Sequence, residues 1–137
     1  MELRLRRFGI FALSITESGR DLIEKLQLIK PDDAVIATGF HHLSVELAAT
    51  VEHAHKIGCP IVLITDTLGA AFHGKADVVL AARRGPVSTF HSLTVPMVIV
   101  NALILAVAMA RSDASLAALD QFQQLRAAFG FDAPGQV

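Results

Sequence analysis

A glycine, two histidines and a serine lie close together in the first half of the chain, between a segment with a strand pattern and a segment with a helix pattern. The apolar segment from Ala34 to Thr38 predicts a buried strand, and a helical pattern begins at Ser44. Between them stands the loop Gly39-Phe40-His41-His42-Leu43. A glycine and a hydroxyl at a helix N-terminus suit a phosphate, because free backbone N–H groups meet the positive end of the helix dipole there. The alternative is that Ser44 is only a helix N-cap.

Three further loops follow predicted strands, and ligands of open α/β sheets bind outside the carboxyl ends of the strands. These loops are Ser14 to Ser18, Thr65 to Gly69, and Arg83 to Ser88. The second of them begins Thr65-Asp66, and Asp66 either caps the following segment or contacts a ligand. Together with the loop before Ser44, it forms the candidate binding site.

The remaining polar residues do not form a metal site by spacing. His53 and His55 are two apart on one predicted helix, whereas a helical metal pair is spaced i, i+4. We therefore predict no metal and no cofactor. As an acid or base, His41, His42 or Glu46 has the required chemistry. Cys59 precedes Pro60 at a strand entrance and is expected to be buried and inert.

Strand and helix signals alternate along the chain. Strands are predicted at Ile10 to Ile15, Ala34 to Thr38, Ile61 to Thr65 and Asp77 to Ala82. Strands apolar on both faces and joined by helices are typical of a parallel sheet covered on two sides. The fold class is therefore α/β, a three-layer, doubly wound parallel sheet of about four strands.

Two helices are predicted after the last strand, at about Phe90 to Ala110 and Ala114 to Phe129. Leu93 to Ala110 is almost wholly apolar and about long enough to cross a bilayer. Flanking basic clusters and aromatic belts are absent from its sequence, so we interpret it as a helix buried in the core or at a subunit interface. A membrane span is the less favoured alternative.

Composition and charge bound the function. The chain has 137 residues, 53% of them hydrophobic and 18% charged, which suits one domain over 1–131 with a flexible tail at 132–137. A net charge of -1 argues against direct nucleic-acid contact. One cysteine and the lack of an apolar signal sequence favour the cytoplasm. Leu3 to Gly9 resembles the end of a helix, so we expect that a strand and helix once preceded Met1; the alternative is that Met1 is a true start and the segment is a short first helix.

Several segments in order resemble the sugar isomerase (SIS) domain, and most closely that of RpiR-type transcription regulators. They are Asp33 to Glu46, Ile57 to Asp66, Ala76 to Leu80, and Ser88-Thr89-Phe90-His91-Ser92 with the apolar helix behind them. The resemblance covers residues 3–112. It implies a SIS-like fold that lacks its front part and the helix-turn-helix domain of these regulators.

The resemblance also implies a ligand, a phosphosugar or a similar anionic metabolite. The family loop usually reads Ser-x-Ser-Gly-x-Thr, whereas this chain has Gly39, His41, His42 and Ser44 there, so the loop is degenerate. The ligand-binding residues implied by loops and resemblance together are Gly39, Phe40, His41, His42, Ser44, Thr65, Asp66, Ser88 and Ser92.

Three functional hypotheses follow. The first is a non-enzymatic sensing module of an RpiR-like regulator that forms a homodimer through the Phe90–Ala110 helix. The second is a sugar-phosphate isomerase, with His41, His42 or Glu46 as base. The third is a purely structural dimerisation module.

Overall fold

The computed structural model describes residues 1–85 and 91–131. The chain forms two compact units, one of Ile15–Ile99 and one of Met1–Ser14 with the chain from Val100 onward. The single domain predicted over 1–131 stays a prediction, and the predicted tail at 132–137 lies outside the described residues. In chain order the elements are α1 (Glu2–Arg7), α2 (Gly19–Leu26), β1 (Val35–Gly39), α3 (Val45–Lys56), β2 (Ile61–Thr65), a 3-10 helix (Leu68–Phe72), β3 (Val78–Ala81), α4 (Thr94–Ala110) and α5 (Ser112–Ala128).

The described sheet has three parallel strands in the order β1-β2-β3. Short apolar strands joined by helices favour this arrangement, because a parallel pair needs a crossover long enough to return the chain to the same edge. The predicted α/β class with helices flanking a parallel sheet is confirmed. The predicted strands at Ala34 to Thr38, Ile61 to Thr65 and Asp77 to Ala82 match β1, β2 and β3 within one residue at every boundary.

The core of the Ile15–Ile99 unit lies between the sheet and α3. Val51 and Ala54 of α3 pack against Ile61 and Leu63 of β2, and all four are almost fully buried. Cys59 belongs to the same cluster, as expected, and its thiol donates to the Asp33 carbonyl at 3.2 Å. Burial raises the pKa of this thiol. The core thus fixes α3 over the strands, with its N-terminus at their carboxyl ends.

The predicted strand at Ile10 to Ile15 is wrong, and the described sheet has three strands rather than about four. A short apolar run such as this one favours a strand, but a strand also needs a partner for its backbone groups. Here the backbone N–H of Ile10 donates to the Leu5 carbonyl at 3.1 Å, and that of Ser14 donates to the Glu2 carboxylate at 2.9 Å. Helix α1 therefore takes donors that a neighbouring strand would otherwise use.

The helix predicted from Phe90 begins at Thr94 among the described residues, and Phe90 itself lies outside them. The Ser92 hydroxyl accepts from the Thr94 backbone N–H at 3.2 Å, which starts the helix. Pro96 is the third helical residue, and proline is tolerated there because first-turn N–H groups lack intrahelical partners. His91 and Leu93 remain outside the helix.

Helix α4 is less buried than a core helix. Ile104 and Ala108 are buried, but Val98 and Leu105 are both 59% exposed and Met109 is 70% exposed. The expectation of burial in the core is therefore not met in a single chain, and the subunit-interface interpretation stays a prediction. Among the described helices, none is by itself long and apolar enough to span a membrane; α4 and α5 pass by length and composition only as a pair, bent by 102°.

In the second unit, α1 packs on α5. Gly9 has φ +70°, and a β-carbon there would approach that of Ala118 at 3.0 Å, so both conformation and space favour glycine. Arg7 and Arg126 lie near the Phe122 ring, 5.6 and 5.8 Å from its centre. Helix α5 covers Ser112–Ala128, close to the predicted range.

Candidate functional site

The three strands end level with one another at one edge of the sheet. The register pairs Gly39 of β1 with Thr65 of β2, and Thr65 with Ala81 of β3. The residues that follow each strand, beginning with Phe40, Asp66 and Ala82, therefore emerge side by side. This is the edge at which open α/β sheets bind ligands.

Asp66 and Arg84 form an ion pair at this edge. The Asp66 Oδ2 atom lies 3.0 Å from both Nε and Nη2 of Arg84, and their side chains are only 13% and 10% exposed. A charged pair this shielded from solvent is screened less by salt than an exposed surface pair. The sequence analysis singled out Asp66 but missed Arg84, because an arginine after a strand carries no signal of its own.

The other carboxylate oxygen of Asp66 is also occupied. Oδ1 accepts the His41 backbone N–H at 2.9 Å, the Thr67 backbone N–H at 2.8 Å and the Thr67 hydroxyl at 3.2 Å. Burial acts to raise the pKa of Asp66, but the hydrogen bonds from His41, Arg84 and Thr67 outweigh it and lower the pKa to about 2. Asp66 is thus an anion that ties together the ends of all three strands.

The loop after β1 makes a tight turn at His41. The His42 backbone N–H donates to the Phe40 carbonyl at 2.6 Å, and His41 has φ +62°, which is uncommon for a residue with a side chain. The Arg84 guanidinium covers the Phe40 ring at 4.5 Å from its centre. Asp66 from one side and Arg84 from the other therefore hold this turn in place.

Three imidazoles meet at the turn. The His41 ring centre lies 4.3 Å from that of His42, edge to face, and 6.0 Å from that of His91. All three residues are exposed. His91 was missed as a site residue although its neighbours Ser88 and Ser92 were predicted, because a single histidine in that segment carries no signal of its own. Among the described residues, no group of three or more His, Cys, Asp or Glu side chains is arranged to hold a metal ion.

Four of the predicted site residues have structural roles in this fold. The Ser44 hydroxyl caps α3 by accepting from the Leu47 backbone N–H at 3.1 Å, and Thr65 likewise accepts from Leu68 at 3.1 Å. Gly39 is buried beneath Leu47, and a β-carbon at Gly39 would collide with a methyl group of Leu47.

Ser92 starts α4, and its hydroxyl also donates to the Thr94 hydroxyl at 2.9 Å. Ser88 lies outside the described residues. Gly39, Phe40, His41, His42, Ser44, Thr65 and Asp66 are therefore brought to one edge of the sheet, joined there by Arg84 and His91.

The fold and this edge define the class of protein. A family model, described as SIS domain, matches residues 4–106, which is most of the chain. The chain therefore belongs to the SIS domain family.

A solved structure is similar over nearly the whole chain. It is the sugar isomerase domain of the RpiR transcription factor from Sphaerobacter thermophilus, with a TM-score of 0.78 and 25% sequence identity. The match covers 89% of this chain and 68% of that one. Among curated proteins no relative was found. The resemblance to the SIS domain of RpiR-type regulators is thus confirmed.

Proposed function

We propose that this chain is a ligand-sensing and dimerising SIS module of an RpiR-like transcription regulator. It binds a phosphosugar or a related anionic metabolite at the carboxyl edge of the sheet. The observation that carries the proposal is the cluster of Arg84, His41, His42 and His91 at that edge, within a SIS fold. Cationic and hydrogen-bond-donating side chains at the ends of parallel strands suit an anionic ligand.

The proposal places recognition of DNA in another part of the regulator, since this chain has a net charge of -1. It also places the module in the cytoplasm, and the similarity to the sugar isomerase domain of a transcription factor supports this placement.

The proposed role is regulatory rather than enzymatic. An aldose–ketose isomerase needs a base positioned to move a proton between adjacent carbons. Of the carboxylates that follow the strand ends, Asp66 is occupied by Arg84 and backbone donors, and Glu46 lies in the first turn of α3. The similar solved protein is a transcription factor. We therefore expect a coupled assay to detect no aldose–ketose turnover. Steady turnover would contradict the regulatory role and support the isomerase hypothesis.

Dimerisation belongs to the same proposal and uses α4. The helix has no acidic residue in its first turn and no basic residue in its last, yet it exposes Val98, Leu105 and Met109. Contiguous exposed apolar surface of this kind marks an interaction site. A second copy of the chain is the occupant we propose, because an uncharged face matches itself without any need for opposite charges.

Thermal unfolding with a panel of ligands tests the sensing role. We expect hexose and amino-sugar phosphates at millimolar concentration to raise the melting temperature, by about 4 °C for a ligand at roughly ten times its dissociation constant. The unphosphorylated sugars should have no effect. The variant Arg84→Gln should lose the shift relative to its own melting temperature, whereas Arg20→Gln, in an exposed ion pair on α2, should keep it. A panel without any shift would contradict the sensing role.

A further inference from the structure

The histidine cluster at the sheet edge comes from two distant parts of the chain. His41 and His42 belong to the loop after β1, whereas His91 lies just before α4. The ring centres of His41 and His42 are 4.3 Å apart, and those of His41 and His91 are 6.0 Å apart. A single phosphate group is small enough to contact several rings that stand this close together.

Backbone contacts fix the turn that carries the His41 ring. The His41 backbone N–H donates to Asp66 at 2.9 Å, and the turn is closed by the 2.6 Å hydrogen bond from His42 to the Phe40 carbonyl. A positive φ at a residue other than glycine persists only where its surroundings hold it. Asp66 is therefore a positioning residue that acts on any ligand through His41.

The charged groups around the histidine cluster do not oppose the binding of an anion. Among the described residues, the acidic side chain in contact with the cluster is Asp66, and it meets His41 through the backbone and is paired with Arg84. Glu46 lies in the first turn of α3, beyond Ser44. When the imidazoles become protonated, they repel one another unless a negative group lies between them. Anion binding and proton uptake are then coupled.

We propose that the imidazoles of His41, His42 and His91 together bind the phosphate of a phosphate monoester, in place of the serine hydroxyls typical of the family loop. This inference rests on the proposed function and adds the contacting groups and a pH dependence to it. Binding strengthens as the pH falls from about 8 to about 6.5, since imidazoles gain a proton in this range.

Nuclear magnetic resonance of the six histidine side chains tests the proposal on the whole chain. The probes are inorganic phosphate and glucose 6-phosphate, each added at about pH 6.5 and about pH 8. We expect the resonances of His41, His42 and His91 to move and their midpoints of titration to shift upward. His53 and His55 in the last turn of α3, and His73 after the 3-10 helix, should not respond and serve as internal controls.

Matched variants complete the test. His91→Gln should weaken binding of glucose 6-phosphate at about pH 6.5 several-fold and flatten its pH dependence, whereas His53→Gln should change neither. If the sugar phosphate binds with the three cluster resonances unmoved, or with equal affinity at both pH values, the histidine inference is overturned while the proposed function stands. If neither probe nor any other sugar phosphate binds, the proposed function itself fails.

Discussion

At the scale of single residues, Asp66 organises the candidate site. Its two oxygens accept hydrogen bonds from the loop after β1, from Thr67 in its own loop and from Arg84 after β3. The sequence analysis left two roles open for this residue, a cap and a ligand contact. The structure shows it as a tether between three chain segments, which suits it to positioning rather than to ligand contact.

The low pKa of Asp66 predicts how stability depends on pH. Its pKa in the folded protein is about 2, whereas in an unfolded chain an aspartate titrates near about 3.9. The stabilisation is therefore present above the unfolded value and is lost as the pH falls through the folded value. Allowing for partial solvent screening, we expect Asp66→Asn to lower the free energy of unfolding by about 1–2 kcal/mol at neutral pH.

Chemical denaturation at a series of pH values measures this effect. The difference between the natural chain and Asp66→Asn should shrink between about pH 5 and about pH 2, as the natural carboxylate takes up its proton. Asp120→Asn, at an exposed position of α5, is the matched control and should change little. A difference that stays constant with pH would show that the ion pair does not carry the stabilisation.

At the scale of elements, the N-terminus of α3 depends on one hydroxyl. Ser44 caps the helix through the Leu47 backbone N–H, whereas Ser18 stands at the N-cap of α2 without a side-chain cap bond among the described residues. We expect Ser44→Ala to lower the free energy of unfolding by about 1 kcal/mol, since a backbone donor loses its partner.

The same change at the second serine is the control. Ser18→Ala should alter the free energy of unfolding by less than about 0.5 kcal/mol, as is usual for surface substitutions. Denaturant titration of both variants gives the comparison. Equal losses at the two positions would mean that the hydroxyl of Ser44 contributes no specific cap.

The elements also show where sequence patterns succeed. Strand β2 and helix α3 follow their predictions closely, because a continuous apolar strand and a capped helix are both specified by nearby residues. Ile10 to Ile15 has the same apolar pattern as a strand and fails, because pairing depends on which neighbours offer a free edge. A local apolar pattern indicates a tendency to form a strand, and a strand forms only where the backbone finds a partner strand.

At the scale of the whole molecule, the exposed face of α4 predicts the oligomeric state. We expect light scattering to show a dimer and Leu105→Glu to convert it to a monomer, since the charge would be buried without a partner in the interface. Leu105 is 59% exposed in the single chain. Ile23→Glu, at a similarly exposed apolar position on α2, should leave the dimer intact.

Two outcomes would contradict this interface. A natural chain that is monomeric at micromolar concentration, and sediments with lipid vesicles instead, would favour the membrane alternative considered for the Leu93–Ala110 segment. A dimer that withstands Leu105→Glu would place the contact between copies on another face.

The sequence by itself determined the α/β class and the family, and it predicted loops for a ligand, because strand and helix periodicities and the residues after each strand are local properties. Only the tertiary structure brought Arg84 to Asp66 and His91 to His41, since these pairs depend on strand register and on where α4 begins. It also decided that Gly39, Ser44 and Thr65 serve packing and capping. The residue types of the loop after β1 are given by the sequence, whereas its contacts with Asp66 and Arg84 depend on the fold.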